Sequence, residues 1–289
     1  MRAGLSAAAR NAWLLWWLLS ANLAVSLCAV VPLLSPLEKS LSHHEASLEM
    51  TARFDMSWWV DVTTEHAEAF ARALDGVAAA AFVSAILGCF FAGGLLQAYH
   101  DTLGLQPLDR FMTSCRRWFL RFAWLFVLSL PLYWLAHRLI NTHMAVALDT
   151  VLERVEDERV GLLITWARAA IFLLLFDLIT LFADYARVHA VVSGQVSMLA
   201  CLSAGGRFVL SHPWRIWTME GCAVGAQALA LTLYVPLDAA LDRSSTASLI
   251  AGFVCGQSFL LMRLFLRESA RAGQVALYRE HLVSASWLP

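Results

Sequence analysis

The hydrophobic residues of this chain fall in long runs rather than in the alternating pattern of a half-buried strand. Four runs contain no Lys, Arg, Asp or Glu, namely residues 11–37, 76–100, 122–137 and 244–262. A helix needs about 20 mostly apolar residues to cross the hydrocarbon core of a bilayer. The shorter runs have charged flanks near the expected interfaces, so all four predict membrane-spanning helices.

Two further apolar segments carry charges inside them. Residues 162–181 include Arg168 and Asp177, and residues 214–237 include Glu220. We interpret both as spans, because omitting either one would invert the orientation of everything that follows it. The prediction is an all-α, polytopic transmembrane helix bundle that forms a single domain over residues 1–289. The six predicted spans are approximately residues 13–34, 77–97, 118–140, 162–184, 214–237 and 247–266.

Composition supports a membrane protein and argues against other classes. Hydrophobic residues make up 60% of the chain and charged residues 15%, whereas soluble domains have roughly 45–50% and about 25%. With 21 basic and 22 acidic residues, the formal charge of -1 gives nucleic acid no overall electrostatic attraction. The first partner that the sequence predicts is therefore the lipid bilayer.

Loop charges predict that both termini are cytoplasmic. With the N-terminus inside, the inner segments contain about twice as many Lys and Arg residues as the outer ones, in agreement with the positive-inside rule. Tryptophan prefers the headgroup region and supports the same orientation. The predicted inner tryptophans are Trp13, Trp16, Trp17, Trp118, Trp214 and Trp217, and the outer ones are Trp134 and Trp166.

Amphipathic patterns predict further helices between the spans. In the outer loops, Ser35-Pro36-Leu37-Glu38 has the form of a capping box and predicts the start of a helix whose apolar face includes Leu48. Other outer helices are predicted over residues 61–74 and around residues 144–155. Inside, residues 196–208 indicate an amphipathic helix that Gly205-Gly206 would weaken or end.

A polar site is predicted within the membrane. Asp177 lies near the middle of the fourth span, where an ionised carboxylate is costly, so it should face protein or water. Thr180 shares its helical face, and Gln227 and Gln257 lie at similar depth in the next two spans. The site is either a proton or cation site or a protonated Asp that joins helices through a hydrogen bond. Glu220 is more simply explained as an anchor to the cytoplasmic headgroups.

Small residues predict where helices approach closely. Pairs of small residues four positions apart occur in the second, fifth and sixth spans and allow close backbone contact. The candidate packing residues are Ser84, Gly88, Gly221, Gly225, Gly252 and Gly256.

An acid followed three residues later by Arg occurs twice near the predicted cytoplasmic face. Asp184 and Arg187 end the fourth span, and Glu268 and Arg271 follow the sixth. At that spacing the two side chains are neighbours on a helix and can pair. We interpret both pairs as solvated salt bridges, with a repeated docking face as the alternative.

Histidine and cysteine predict neither a metal site nor a cofactor. Residues 43–45 and 65–66 bring His and Glu to the outer side with His137 and His143, but in no recognisable zinc-binding motif. The 6 Cys lie in spans or inner connectors with no C-x-x-C pair, which favours reduced thiols.

Three short segments carry a resemblance. They are Phe182-Ala-Asp-Tyr-Ala-Arg-Val-His, Gly205-Gly206-Arg-Phe-Val-Leu followed by Pro213-Trp214, and Gly93-Gly94-Leu-Leu. With the layout of the whole chain, they resemble a group of uncharacterised six-helix bacterial integral membrane proteins and, loosely, the membrane domain of glycerophosphodiester phosphodiesterases. The resemblance implies a helix bundle in the bacterial cytoplasmic (inner) membrane. Those enzymes hydrolyse with a separate soluble barrel, so it implies no catalytic residue or substrate for this chain.

The sequence favours a non-enzymatic scaffold or binding component for a protein or lipid partner. No P-loop, dinucleotide-binding glycine pattern, nucleophile elbow or kinase signature is present. The protein partner would be another membrane protein or a second copy of the chain. One alternative is a small transporter or proton-coupled carrier that uses Asp177. Another is an intramembrane enzyme, which would need a second acid or a His beside Asp177 in a water-filled pocket.

Overall fold

The computed structural model describes residues 2–41, 56–65, 67–101, 107–152, 157–241 and 245–286, and no β-strand occurs in these ranges. The helices found there are α1 (Arg2–Arg10), α2 (Trp13–Leu41), α3 (Met56–Glu65), α4 (Ala67–His100), α5 (Leu108–His137), α6 (Met144–Leu152), α7 (Glu158–Ser193), α8 (Met198–Ser211), α9 (Pro213–Ala239) and α10 (Thr246–Ser286). A π-helical segment, Arg138–His143, joins α5 to α6. The prediction of an all-α fold is confirmed.

Long apolar helices make the chain a multi-pass membrane protein. Among the described residues, 5 segments are long and apolar enough to cross a bilayer: Phe70–His100, Leu108–Leu148, Arg159–Ser193, Pro213–Ala239 and Thr246–Leu282. A sixth span arises if α1 and α2, which meet at a bend of 79°, cross as one. Both segments with internal charges qualify, as predicted.

The helices continue well past the predicted spans. α7 contains 36 residues and α10 contains 41. At 1.5 Å per residue they are about 54 and 62 Å long, whereas the hydrocarbon core is about 30 Å thick. Hydropathy therefore located the apolar part of each helix, but residues 108–117 before the third predicted span and residues 267–286 after the sixth are helical as well.

The described residues form two compact units. The first lies within Met1–Phe91 and Thr218–Gly273, and the second lies within Ala92–Thr102, Pro107–Trp217 and Gln274–Pro289. Each unit therefore combines segments that are far apart in the sequence.

In the second unit, α7 changes character along its length. Large apolar side chains of its first half are exposed, as contact with lipid requires: Leu162, Leu163, Trp166, Leu173, Leu174 and Phe176. Its second half is mostly buried: Leu181, Ala183, Tyr185, Ala186, Val188, Ala190 and Val191. In α5 the order is reversed, and Phe111, Cys115, Trp118, Phe122 and Leu125 are buried near its start. The packed core of this unit thus lies toward the predicted cytoplasmic ends of both helices.

α7 and α8 form an antiparallel hairpin at this end. Gly194, with a φ of 68°, ends α7 in the left-handed conformation, and α8 then runs back along α7. A Cβ atom on Gly205 would lie 2.6 Å from the backbone nitrogen of Ala186, so the helices touch backbone to backbone there. We expected Gly205-Gly206 to weaken or end the inner helix, and the helix does not end there but continues to Ser211. Close packing against α7 favours glycine at position 205.

Three sequence interpretations of local features need correction. α2 runs unbroken to Leu41, so no helix begins at Ser35-Pro36-Leu37-Glu38. Residues 61–74 are divided between the end of α3 and the start of α4, whereas α6 agrees with the third predicted outer helix up to Leu152. Trp118 is 1% exposed and belongs to the core rather than to the headgroup region. Leu48 and Val155 lie outside the described residues.

The predicted packing glycines are mostly not used. Four of the candidate small residues are exposed: Ser84, Gly88, Gly221 and Gly225. A Cβ atom on any of those glycines would meet no described atom within 4 Å. Gly252 and Gly256 are in ordinary contact range, at 3.9 Å from Leu241 and 3.6 Å from Tyr234. The tightest contacts instead involve Gly4, Gly93, Gly94 and Gly205.

The hairpin predicts opposite effects for two adjacent glycines. Gly205→Ala should lower the free energy of unfolding by about 1–3 kcal/mol, because the methyl group would collide with backbone. Gly206→Ala should be neutral or stabilising by about 0.5–1 kcal/mol, because its Cβ meets open space inside a helix. Thermal unfolding of both variants in the same detergent tests this. Equal shifts for the two variants would contradict the close contact.

Candidate functional site

An aromatic–histidine cluster lies in the core of the second unit. Three segments each contribute two of its residues about one turn apart: Tyr185 and His189 from α7, Phe208 from α8 with His212 directly after it, and Tyr278 and His281 from α10. Tyr185, Phe208 and Tyr278 are buried, whereas the three histidines are half-buried. The cluster therefore joins three helices around an apolar centre with polar edges.

Phe208 is the centre of this cluster. Its ring centroid lies 5.1 Å from that of Tyr185 in a tilted contact and 4.8 Å from that of Tyr278 in an edge contact, both within the range typical of aromatic pairs. His212 stacks on the same ring at 5.0 Å, and His281 lies 5.1 Å away. Because α8 approaches α7 at Gly205, Phe208 can reach both of the other helices.

His189 connects the cluster by hydrogen bonds. Its Nδ1 atom lies 2.6 Å from the Tyr278 hydroxyl, and its Nε2 atom lies 3.0 Å from Oε1 of Gln195. Since a carbonyl oxygen can only accept, Nε2 carries the proton in this arrangement, and the Tyr278 hydroxyl donates to Nδ1. A proton on both ring nitrogens would require Tyr278 to accept instead.

A second histidine contact lies at the edge of the cluster. The rings of His212 and His281 meet edge to face at 4.8 Å, and Nδ1 of His212 lies 2.7 Å from the Ser211 hydroxyl. Protonation of both rings would place two positive charges side by side. No group of three His, Cys, Asp or Glu side chains that could hold a metal ion occurs in the described part of the chain.

Cys201 lies on α8 and is 0% exposed. Burial raises the pKa of its thiol, although the positive charge of Arg121 opposes part of the shift. The thiol is therefore held in its neutral form, which is a poor nucleophile and a poor metal ligand.

Both predicted cytoplasmic ion pairs form within their helices. Arg187 Nη1 lies 2.5 Å from Asp184 in the second unit, and Arg271 Nη1 lies 2.6 Å from Glu268 in the first. The interpretation as a solvated salt bridge is wrong for Glu268, whose side chain is only 1% exposed, whereas Asp184 is half-buried with 21% of its side chain exposed. An acid is buried with its Arg partner because an unpaired buried charge is costly.

The predicted intramembrane residues are distributed between the two units. Asp177 and Thr180 are in the second unit, whereas Glu220, Gln227 and Gln257 are half-buried in the first. Asp177 is exposed, and its carboxylate makes no hydrogen bond or ion pair with any residue that the structure describes. Hydrogen bonding of Gln227 or Gln257 to Asp177 stays a prediction.

Thr180 has a hydrogen-bond partner on another helix. Its hydroxyl lies 2.9 Å from the Tyr133 hydroxyl and also donates to the backbone oxygen of Phe176. The Tyr133 ring packs on Phe176 at 4.6 Å between centroids. On this face of α7, Thr180 and Asp184 therefore have hydrogen-bond or ion-pair partners within the protein, whereas Asp177 is exposed.

Sequence reasoning missed the aromatic–histidine cluster. The signal was a repeated spacing, in which an aromatic residue precedes a histidine by three or four positions at the end of three helical segments. The histidines considered as metal ligands were those of the predicted outer loops. Of that set, Glu65, His137 and His143 are exposed. Residues 43–45 and 66 lie outside the described ranges.

No family model, curated protein or solved structure matches the chain. The resemblance to six-helix bacterial membrane proteins therefore stays a prediction. The segments that carry it have a structural role, however, since Tyr185, Gly205 and Phe208 all lie in the core of the second unit.

The His189–Tyr278 bond predicts energetic coupling between α7 and α10. Tyr278→Phe removes the hydroxyl and keeps the ring contacts, and His189→Leu removes both imidazole nitrogens. In a double-mutant cycle on thermal unfolding, the two changes should show a coupling of about 1 kcal/mol. His189→Leu combined with Tyr133→Phe is the control and should be additive, because Tyr133 bonds to Thr180 about two and a half turns away. Additivity in the first pair would exclude the bond.

Proposed function

We propose that this chain is a non-enzymatic binding or scaffold component of the bacterial cytoplasmic membrane, with both termini in the cytoplasm, that binds a protein or lipid partner. The observation that carries the proposal is that the polar and aromatic groups of the aromatic–histidine cluster bind helices to one another. His189 hydrogen-bonds to Tyr278 and Phe208 packs on Tyr278, so these groups join different helices to one another. Such contacts build a rigid extramembrane end.

The same end also presents apolar side chains outward. Val196 is 66% exposed in the turn between α7 and α8, and Leu199 is 64% exposed in the first turn of α8. Because α8 runs back along α7, both lie at the tip of the hairpin that is farthest from the exposed apolar half of α7. Exposed apolar residues on an ordered surface outside the bilayer favour a binding partner.

Partner recovery tests this proposal. Affinity purification of the full chain in mild detergent should yield a stoichiometric partner, and Val196→Ser with Leu199→Ser should reduce its recovery at least several-fold without lowering expression. Ser203→Ala, at an exposed position on the same helix, is the matched control and should leave recovery unchanged. Repeated isolation of the bare wild-type chain would count against a scaffold role.

A second function is favoured by the exposed carboxylate of Asp177. A proton-coupled carrier would need an acid that is not already bound to a neighbour, and Asp177 meets this condition within the described part of the chain. Asp184 does not, because it pairs with Arg187.

Proton flux distinguishes the carrier from the scaffold. Proteoliposomes that contain a pH-sensitive dye and are driven by a membrane potential should acidify if the carrier function is right. Asp177→Asn should then reduce the rate to that of protein-free vesicles, whereas Asp177→Glu should keep part of it. Wild-type vesicles that are no faster than empty ones would exclude proton transport.

A further inference from the structure

A strip of exposed basic and apolar side chains follows the end of α8 into the start of α9. Arg207 is exposed, Leu210 is 71% exposed and Trp214 is 81% exposed. All three belong to the second unit. Arg207 forms no ion pair with any residue in the described ranges.

The depth of this strip follows from the hairpin. Gly205 touches α7 at Tyr185 and Ala186, and α8 then continues toward the part of α7 whose apolar residues are exposed. The last large exposed apolar residue of that part, Phe176, lies nine residues before Tyr185, or about 13 Å along the helix. A headgroup layer is about 5–7 Å deep, and an arginine side chain reaches several ångströms toward it. Arg207 is therefore within range of the headgroups.

The segment that contains the strip has basic residues and no acidic ones. No Asp or Glu occurs between Asp184 and Glu220 in the sequence. Of the arginines in that interval, Arg187 is paired with Asp184, whereas Arg207 is exposed and forms no ion pair with a described residue. Exposed arginine beside apolar and tryptophan side chains matches a lipid whose headgroup is an anion and whose chains are hydrocarbon.

We propose that Arg207, with Leu210 and Trp214, binds the headgroup of an anionic phospholipid on the cytoplasmic side of the membrane. The inference rests on the proposed binding function and specifies the lipid partner. Arg207 bonds to the phosphate, while Leu210 and Trp214 contact the acyl chains and glycerol region. This position differs from the Val196 and Leu199 tip, which lies at the opposite end of α8.

Lipid retention by the purified full chain tests the proposal. The probes are phosphatidylglycerol and phosphatidylcholine, titrated separately and counted as adducts by native mass spectrometry. Wild type should retain phosphatidylglycerol in preference to phosphatidylcholine. Arg207→Gln should weaken phosphatidylglycerol binding about fivefold, as expected for the loss of one arginine near an anionic headgroup. Arg207→Lys should retain most of the affinity.

The control is Arg159→Gln, which removes an exposed arginine at the start of α7 and should change nothing. Equal phosphatidylglycerol binding by wild type and Arg207→Gln would overturn the proposal, as would equal binding of the two lipids by wild type. A photo-crosslinker at Leu210 should capture lipid in native membranes, and capture of a protein there would also overturn it. If the lipid-binding and crosslinking tests fail but a partner is still recovered through Val196 and Leu199, the lipid proposal is wrong and the scaffold function is retained.

Discussion

The approach of α8 to α7 at Gly205 is the contact on which the second unit depends. Two helices can touch backbone to backbone only where a residue has no side chain, and a Cβ at this position would lie within 3 Å of Ala186. The approach brings Phe208 against Tyr185, and it leaves room for Tyr278 of α10 on the same ring. The aromatic–histidine cluster is thus a consequence of one glycine contact rather than of the individual ring interactions.

The second constraint is electrostatic and concerns acids near the packed ends. Glu268 is almost fully buried, so its charge must be compensated within the fold, and Arg271 lies one turn away to do so. In the same unit, Gly4 of α1 packs against the backbone of α10 at Ser269 and Gly273. The N-terminal helix therefore covers the helix face next to the ion pair. The spacing of Glu268 and Arg271 predicted that the two side chains would pair, but it did not predict that Glu268 would be buried.

The parts of the fold that sequence could predict are those fixed by the bilayer. An apolar stretch in lipid must be helical because no other local structure satisfies its backbone, so Asp177 and Glu220 did not prevent correct assignment of their helices. Helix ends were less predictable, because outside the membrane a helix continues only when tertiary contacts support it. α10 extends to Ser286, and Val275 and Tyr278 in this extension belong to a packed core. Tyr278 contacts His189, 89 residues earlier in the chain. Gly221 and Gly225 show a different limit of prediction. Their spacing allows a second helix to approach closely, but no described atom lies within 4 Å of a Cβ at either position.

The candidate functions differ in which polar groups the fold has already used. In the aromatic–histidine cluster, His189 and Tyr278 hydrogen-bond to each other and the rings pack on Phe208. The neutral thiol of Cys201 on the same helix as Phe208 is fully buried, which also supports a structural role for this region. Groups that can serve a ligand are those that remain unbonded at the surface, and Asp177 and Arg207 are of this kind. A carboxylate at mid-membrane depth has to find water or a proton before it is tolerated, whereas an arginine at headgroup depth meets anionic phosphate without further rearrangement. Binding at the membrane surface therefore requires less rearrangement of this structure than transport through it does. This difference favours the scaffold function over the carrier function.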